Sequence, residues 1–67
     1  MSEDELFCGH ICMAAHRMGI YGRFEPEGFR WFDVMANIRI GVESKGEKKE
    51  ILHAACKSLV KYLSAKP

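Results

Sequence analysis

The sequence lacks any apolar run long enough to cross a membrane, and 67 residues leave no room for a second domain. A bilayer span needs about 20 consecutive apolar residues, which no stretch of this chain approaches. A body of this size buries only about 60% of the surface of its unfolded chain, so an enzyme pocket is hard to accommodate. We therefore expect one domain over residues 1–67 that binds a partner and is not an enzyme.

Cysteine is scarce and odd in number, since the chain holds only Cys8, Cys12 and Cys56. An odd count does not fit a disulfide framework, and the acidic, polar first residues do not resemble a secretory leader. These features predict reduced thiols and an intracellular location, in the cytoplasm or the nucleus. Sequence repeats and low-complexity segments are also absent. No residue near the histidines and cysteines completes the pattern of an activated nucleophile.

The chain as a whole has almost no net charge, only +1, but its charges are unevenly distributed. The first five residues contain three acids and no base. Residues 45–67 contain six lysines against two glutamates. A basic segment at one end of a nearly neutral chain indicates a local anion-binding surface rather than a uniformly basic protein.

A first helix is predicted over residues 3–18, where apolar side chains recur at helical spacing. Ser2 and Glu5 have the spacing of a capping box, and acids at positions 3, 4 and 5 suit the positive end of a helix dipole. Gly19 follows the last periodic position, where helices commonly end. The apolar residues that recur at this spacing are Phe7, Ile11, Ala14 or Ala15, and Met18.

A second helix is predicted from Glu47 to about Ser64. Ser44 and Glu47 repeat the capping-box spacing in front of it. An apolar stripe and a polar stripe lie on opposite sides of this helix, which is typical of a helix that covers a core with one face. The apolar stripe is Leu52, Ala55, Cys56, Leu59 and Leu63, and the polar stripe is Glu50, His53, Lys57 and Lys61.

The middle of the chain is predicted to form a small antiparallel sheet. Residues 20–25 indicate a strand, and the sequence PEG at 26–28 is typical of a turn. Residues 29–42 are rich in aromatic and β-branched side chains, which favours two strands reversing near Ala36 and Asn37 over one long strand. The expected fold class is α+β, in the order α-β-β-(β)-α, with both helices packed on one face of the sheet.

The second predicted helix resembles part of a known family. Its sequence, KKEILHAACKSLVKYL, has a Lys-Lys pair at the start, an Ala-Ala pair soon after, and large apolar residues to the end. This pattern is similar to the C-terminal helix of double-stranded RNA-binding domains, and AHRMGI is similar to the exit of that family's first helix. The element order and length agree with a divergent member. The resemblance implies largely sequence-independent binding of double-stranded RNA.

The start of this helix is the predicted phosphate-binding site. A helix N-terminus presents free N–H groups and a partial positive charge, and Lys48 and Lys49 add two cations there. A-form RNA hides its bases in a deep, narrow major groove, so a protein that recognises its shape needs cations that reach the phosphates across that groove. The predicted RNA-phosphate-binding residues are Lys45, Lys48 and Lys49, with Arg30 and Lys57 more peripheral.

The sequence also departs from the family pattern. The family usually has a third lysine at the position of Leu52, and the loop that normally reaches a minor groove contains Glu25 and Glu27 here. Carboxylates repel phosphate. Some members of the family use this fold to bind proteins, often a second copy of themselves. The alternative function is therefore a protein–protein interaction or homodimerisation module, and no membrane partner is expected.

Two further groups of residues allow more than one interpretation. The helical spacing of the cysteines and His53 is compatible with a zinc site between the two helices, or with buried thiols and no cofactor. No paired CxxC motif is present, which favours buried thiols. The aromatic residues of the sheet are compatible with core packing, protein docking or stacking of unpaired bases. The zinc candidates are Cys8, Cys12, His53 and Cys56, and the aromatic residues are Phe24, Phe29, Trp31 and Phe32.

Overall fold

The computed structural model describes residues 3–65, which form two helices and three strands. The strands form one antiparallel sheet in the order β1-β2-β3, and both helices pack against the sheet. The predicted α+β fold is therefore confirmed, with the third strand present. The elements are α1 (Glu3–Arg17), β1 (Ile20–Glu25), β2 (Gly28–Asp33), β3 (Ile38–Glu43) and α2 (Lys48–Ala65).

The two faces of the sheet differ in exposure, as β2 shows most clearly. Phe29, Trp31 and Asp33 are buried, whereas Arg30 is half-buried and Phe32 is exposed. Successive side chains of a strand point to opposite faces, so the buried set lies on the face that the helices cover. Within residues 3–65 no helix covers the opposite face, and the only ring contact that α1 makes with the sheet reaches its edge, where His16 packs edge-on against Tyr21 with 5.1 Å between ring centroids.

Trp31 joins the sheet to α2. Its indole Nε1 donates a hydrogen bond of 2.9 Å to the main-chain carbonyl of Ala55. The ring of Phe29 packs edge-on against it, with 5.0 Å between ring centroids. The tryptophan is 2% exposed, so this contact lies in the core. It fixes the position of α2 over the middle of the sheet.

The β2–β3 reversal is predicted correctly and depends on a buried carboxylate. Residues 34–37 form the turn, and Asn37 has a positive φ of 56°, which asparagine tolerates better than most residues. Asp33 Oδ1 accepts a hydrogen bond of 3.2 Å from the main-chain N–H of Ala36. Asp33 Oδ2 accepts one of 2.9 Å from the hydroxyl of Tyr62. This side chain, 1% exposed, connects the turn to the last part of α2.

The predicted boundary of α1 is nearly correct. The helix ends at Arg17, and Gly19 follows with φ 76°, as expected of a glycine just beyond a helix. Met18, predicted as the last residue of the helix, lies just outside it and is 49% exposed. Ala15 is buried, and Ala14 is exposed. The capping box predicted at Ser2 lies outside the described residues.

The predicted cap of α2 is wrong. The helix begins at Lys48, and the main-chain carbonyl of Glu47 accepts a hydrogen bond of 3.1 Å from the N–H of Ile51. Glu47 is therefore the residue that precedes the helix, and Ser44 lies too far upstream to cap it. Ile51 is also buried, although the predicted apolar stripe omitted it. No helix within residues 3–65 has both the length and the apolar composition needed to cross a bilayer.

Candidate nucleic-acid interface

The start of α2 is exposed and places its two lysines against different elements. The Nζ atom of Lys49 lies 3.7 Å from Oε1 of Glu5 in α1, and the lysine side chain is 81% exposed. The Nζ atom of Lys48 lies 5.5 Å from the centroid of the Phe24 ring. Lys45 is exposed in the loop before the helix. The two ammonium groups are therefore directed apart, and a phosphate that contacts both must draw them from these partners.

Carboxylates outnumber lysines around this helix start. One flank is the groove between α1 and α2, and the other lies between α2 and the β1–β2 turn. These carboxylates reduce the attraction that the lysines exert on a phosphate. The first flank contains Asp4, Glu5, Glu47 and Glu50 with Lys49 and Lys57, and the second contains Glu25, Glu27 and Glu43 with Lys45 and Lys48.

The two peripheral residues of the predicted site do not join the helix start. Lys57 is exposed, but nine residues after Lys48 correspond to roughly 13 Å along the helix axis. Arg30 lies on the open face of the sheet, opposite the helices, and its Nε atom lies 3.3 Å from Oε1 of Glu25. The predicted set therefore divides into a lysine group at the start of α2 and an arginine on another surface.

The open face of the sheet carries a second group of cations, separate from the lysines of α2. Strand pairing aligns Tyr21, Phe32 and Arg39 in one row across the three strands. The next row holds Arg23 and Arg30. These five side chains line one open depression, and Glu25 is the only acid among its described lining residues. Glu43 lies on the same face in the row beyond, beside Glu25 and Gly28. Three arginines against two glutamates leave this surface with a small excess of positive charge.

The sequence analysis did not assign Tyr21, Arg23 or Arg39 to a site. The sequence does indicate that Tyr21 and Arg23 share a face, because side chains two residues apart in a strand point to the same side. In both IYGRFE and IRIGVE, the charged residues all fall on the same side of this alternation. The predicted faces rest on the apolar residues of each strand taken singly. The polar residues form a group only when the three strands are placed side by side. Combining them requires the register, which pairs Arg23 with Arg30 and Phe32 with Arg39.

The four aromatic residues of the sheet have different environments. Phe29 and Trp31 are buried, which agrees with the core interpretation. Phe24 is 42% exposed and lies below the ammonium group of Lys48. Phe32 is 36% exposed on the open face. Only Phe32 of this group is therefore available to a partner on that face.

The cysteines lie between the two helices. Cys8 and Cys56 are buried, and Cys12 is half-buried. Burial, together with the neighbouring Cys8 and Cys12 thiols, raises the pKa of the Cys56 thiol well above its ordinary value, which keeps it protonated and unreactive. The Sγ atom of Cys8 lies 3.9 Å from Nδ1 of His53.

The zinc candidates do not form a metal site. Within residues 3–65, no three or more histidine, cysteine, aspartate or glutamate side chains are grouped so that they can hold a metal ion. His53 has other neighbours, since its Nε2 atom lies 3.8 Å from Oδ1 of Asp4 and its ring packs edge-on against Phe7. The geometry therefore favours buried thiols over a metal-bound set.

No family model matches the chain, and neither a curated protein nor a solved structure matches it. The similarity to double-stranded RNA-binding domains therefore rests on the sequence of α2, the sequence that precedes β1 and the order of the elements.

Proposed function

We propose that the chain is a non-catalytic RNA-binding module of an intracellular protein, and that the first turn of α2 contacts the phosphates of double-stranded RNA. The observation that carries the proposal is the exposed position of Lys48 and Lys49 in that first turn, beside N–H groups that have no partner within the helix. Lys45 adds a third cation from the preceding loop. The α-β-β-β-α order supports the proposal, because it is the order that the resemblance implies.

The contacts that the lysines make in the free protein are weak enough to exchange for phosphates. An exposed ion pair such as Lys49 with Glu5 contributes about 0–1 kcal/mol. An exposed cation–π contact such as Lys48 with Phe24 contributes about 0.5–1 kcal/mol. Contacts to phosphates carry no sequence information, so binding depends on the shape of the duplex. The surrounding carboxylates lower the affinity without changing this mode.

Titration with a fluorescently labelled RNA duplex of about 16 base pairs tests the proposal. Binding should appear at low salt. The logarithm of the association constant should fall linearly with the logarithm of the salt concentration, with a slope of about −2, as expected for two or three lysine contacts. Duplexes of unrelated sequence should bind equally well. A chain that shows no binding at low salt, or affinity that does not respond to salt, contradicts the proposal.

A second candidate function is supported by an exposed apolar surface at the other end of the sheet. The main-chain N–H of Val34 donates a hydrogen bond of 3.1 Å to the carbonyl of Gly19, which brings the β2–β3 turn beside Met18. Met35 is 86% exposed, and Ile38 is 44% exposed. Exposed apolar patches rich in methionine are typical of protein-binding surfaces. We propose self-association through this patch, formed by Met18, Met35 and Ile38, as the alternative function.

Light scattering over a range of protein concentrations tests this alternative. The mean mass should rise towards twice that of the monomer as concentration increases, and Met35→Glu should keep the protein monomeric because it places a charge in the patch. Leu6→Glu is the matched control, since Leu6 is 48% exposed near the start of α1, at the far end of that helix from Met18. A monomeric mass at every concentration rules out self-association.

A further inference from the structure

We infer that the open face of the sheet binds single-stranded nucleic acid, with bases stacked on Tyr21, Phe32 and the guanidinium plane of Arg30, and with Arg23 and Arg39 against phosphates. This face lies on the opposite side of the sheet from the helices. The inference therefore goes beyond the proposed duplex contacts at the start of α2 and does not depend on them.

The spacing of these side chains suits a strand of nucleotides. Neighbours within a row, such as Tyr21 and Phe32, lie on strands about 5 Å apart. The row that contains Arg23 and Arg30 follows after two residues along each strand, which corresponds to roughly 7 Å. Along β1 and along β2, an aromatic ring and an arginine are therefore separated by the scale of a single nucleotide. Proteins that bind single strands combine stacking surfaces and cations in this way.

The guanidinium of Arg30 lies flat on the sheet and forms part of this stacking surface. A Cβ atom built on Gly41 would lie 3.7 Å from Nη2, 3.8 Å from Cζ and 3.8 Å from Nε of Arg30. Nearly equal distances to three atoms of the plane place that point above the plane rather than at its rim. The ion pair with Glu25 holds Nε in this position. The Arg30 side chain is 39% exposed, and bases stack on arginine planes in RNA complexes.

The type of cation distinguishes this face from the start of α2. The cations on the open face are arginines, whereas those at the start of α2 are lysines. Arginine combines a permanent charge with a planar group that stacks on aromatic rings, and lysine acts as a point charge. An anionic partner with exposed planar bases matches the arginine set. A duplex matches it less well, because its bases are already paired and stacked.

Fluorescence anisotropy with a labelled oligouridine of about ten nucleotides tests the inference. The double variant Arg23→Gln with Arg39→Gln should lower the affinity about tenfold and reduce the salt slope by about 1.4, since two phosphate contacts are lost. Phe32→Leu should lower the affinity about fivefold and leave the salt slope unchanged, because a stacking contact releases no counterions. Circular dichroism of each variant confirms that the fold is retained.

The control variant Arg17→Gln with Lys61→Gln removes the same charge from exposed positions on the helices. It should bind the oligonucleotide within about twofold of the wild type, since it removes no contact. An equal loss of affinity in the control and in the arginine variant would show that the oligonucleotide responds only to the overall charge of the protein. That result overturns the inference. Wild-type affinity in the arginine and Phe32 variants, or no binding at low salt, overturns it as well.

These experiments can contradict the duplex proposal and the open-face inference separately. Lys48→Gln with Lys49→Gln should leave oligouridine binding unchanged, while the variants of the open face should leave duplex binding unchanged. Loss of oligouridine binding in the lysine variant alone overturns the inference and leaves the duplex proposal standing. A wild type that binds oligouridine through the open face but not the duplex supports the inference and contradicts the proposed function.

Discussion

Replacement of Gly22 with valine is expected to destabilise the domain by about 3 kcal/mol, because overpacking of a well-packed core costs about 1–3 kcal/mol or more. A Cβ atom built on Gly22 would lie 2.5 Å from two ring carbons of Phe29 and 2.7 Å from Cε3 of Trp31. Neither ring can easily retreat, since both are buried and the indole is hydrogen-bonded to the Ala55 carbonyl. Valine adds two methyl groups beyond that Cβ atom.

Urea unfolding followed by tryptophan fluorescence measures this loss, because Trp31 is the only tryptophan. A domain of this length has roughly 3–10 kcal/mol of stability, so the variant should lose between about a third and nearly all of it. Gly9→Ala is the matched control, since nothing lies within 4 Å of a Cβ atom built there and the position is exposed in a helix. It should stabilise the protein by about 0.5–1 kcal/mol. Similar midpoints for the two variants would contradict the packing account.

The elements of this fold could be predicted from the sequence because burial imposes a period on each of them. Ala55 and Leu59 are buried as the helical spacing predicts, and the reversal at Asn37 occurs where the strand pattern is interrupted. The ends of the helices were less predictable. Ser44 has suitable capping chemistry, but the path of the chain out of β3 decides where α2 begins, and no local pattern contains that path.

The candidate sites could be predicted in part only. The position of Lys48 at the start of α2 follows from local sequence, whereas its contact with Phe24 joins residues that are distant in the chain. Asp33 and Tyr62 form a partly buried hydrogen bond across 29 residues, which no local pattern indicates. The arginine face required the pairing of three strands before its members could be grouped. Contacts between distant residues therefore account for what sequence analysis missed.

The double variant Lys48→Gln with Lys49→Gln is expected to lower the affinity for duplex RNA about 30-fold at low salt and to reduce the salt slope by about 1.8, because each lysine that neutralises a phosphate releases a counterion. Glutamine keeps a comparable helix propensity, and loss of two cations from a helix N-terminus does not oppose the helix dipole. The fold should therefore be retained. Fluorescence anisotropy at several salt concentrations measures both quantities, and Arg17→Gln with Lys61→Gln again provides the charge-matched control.

Removal of the carboxylate beside Lys49 should have the opposite effect. Glu5 Oε1 lies 3.7 Å from the Lys49 ammonium group, so Glu5→Gln should release that group towards a phosphate and raise duplex affinity about threefold. The gain should disappear when Glu5→Gln is combined with Lys49→Gln, because the effect depends on that one pair. A gain that persists in the combined variant would mean that Glu5 repels RNA directly. Unchanged affinity in the double lysine variant would exclude the start of α2 as the phosphate contact.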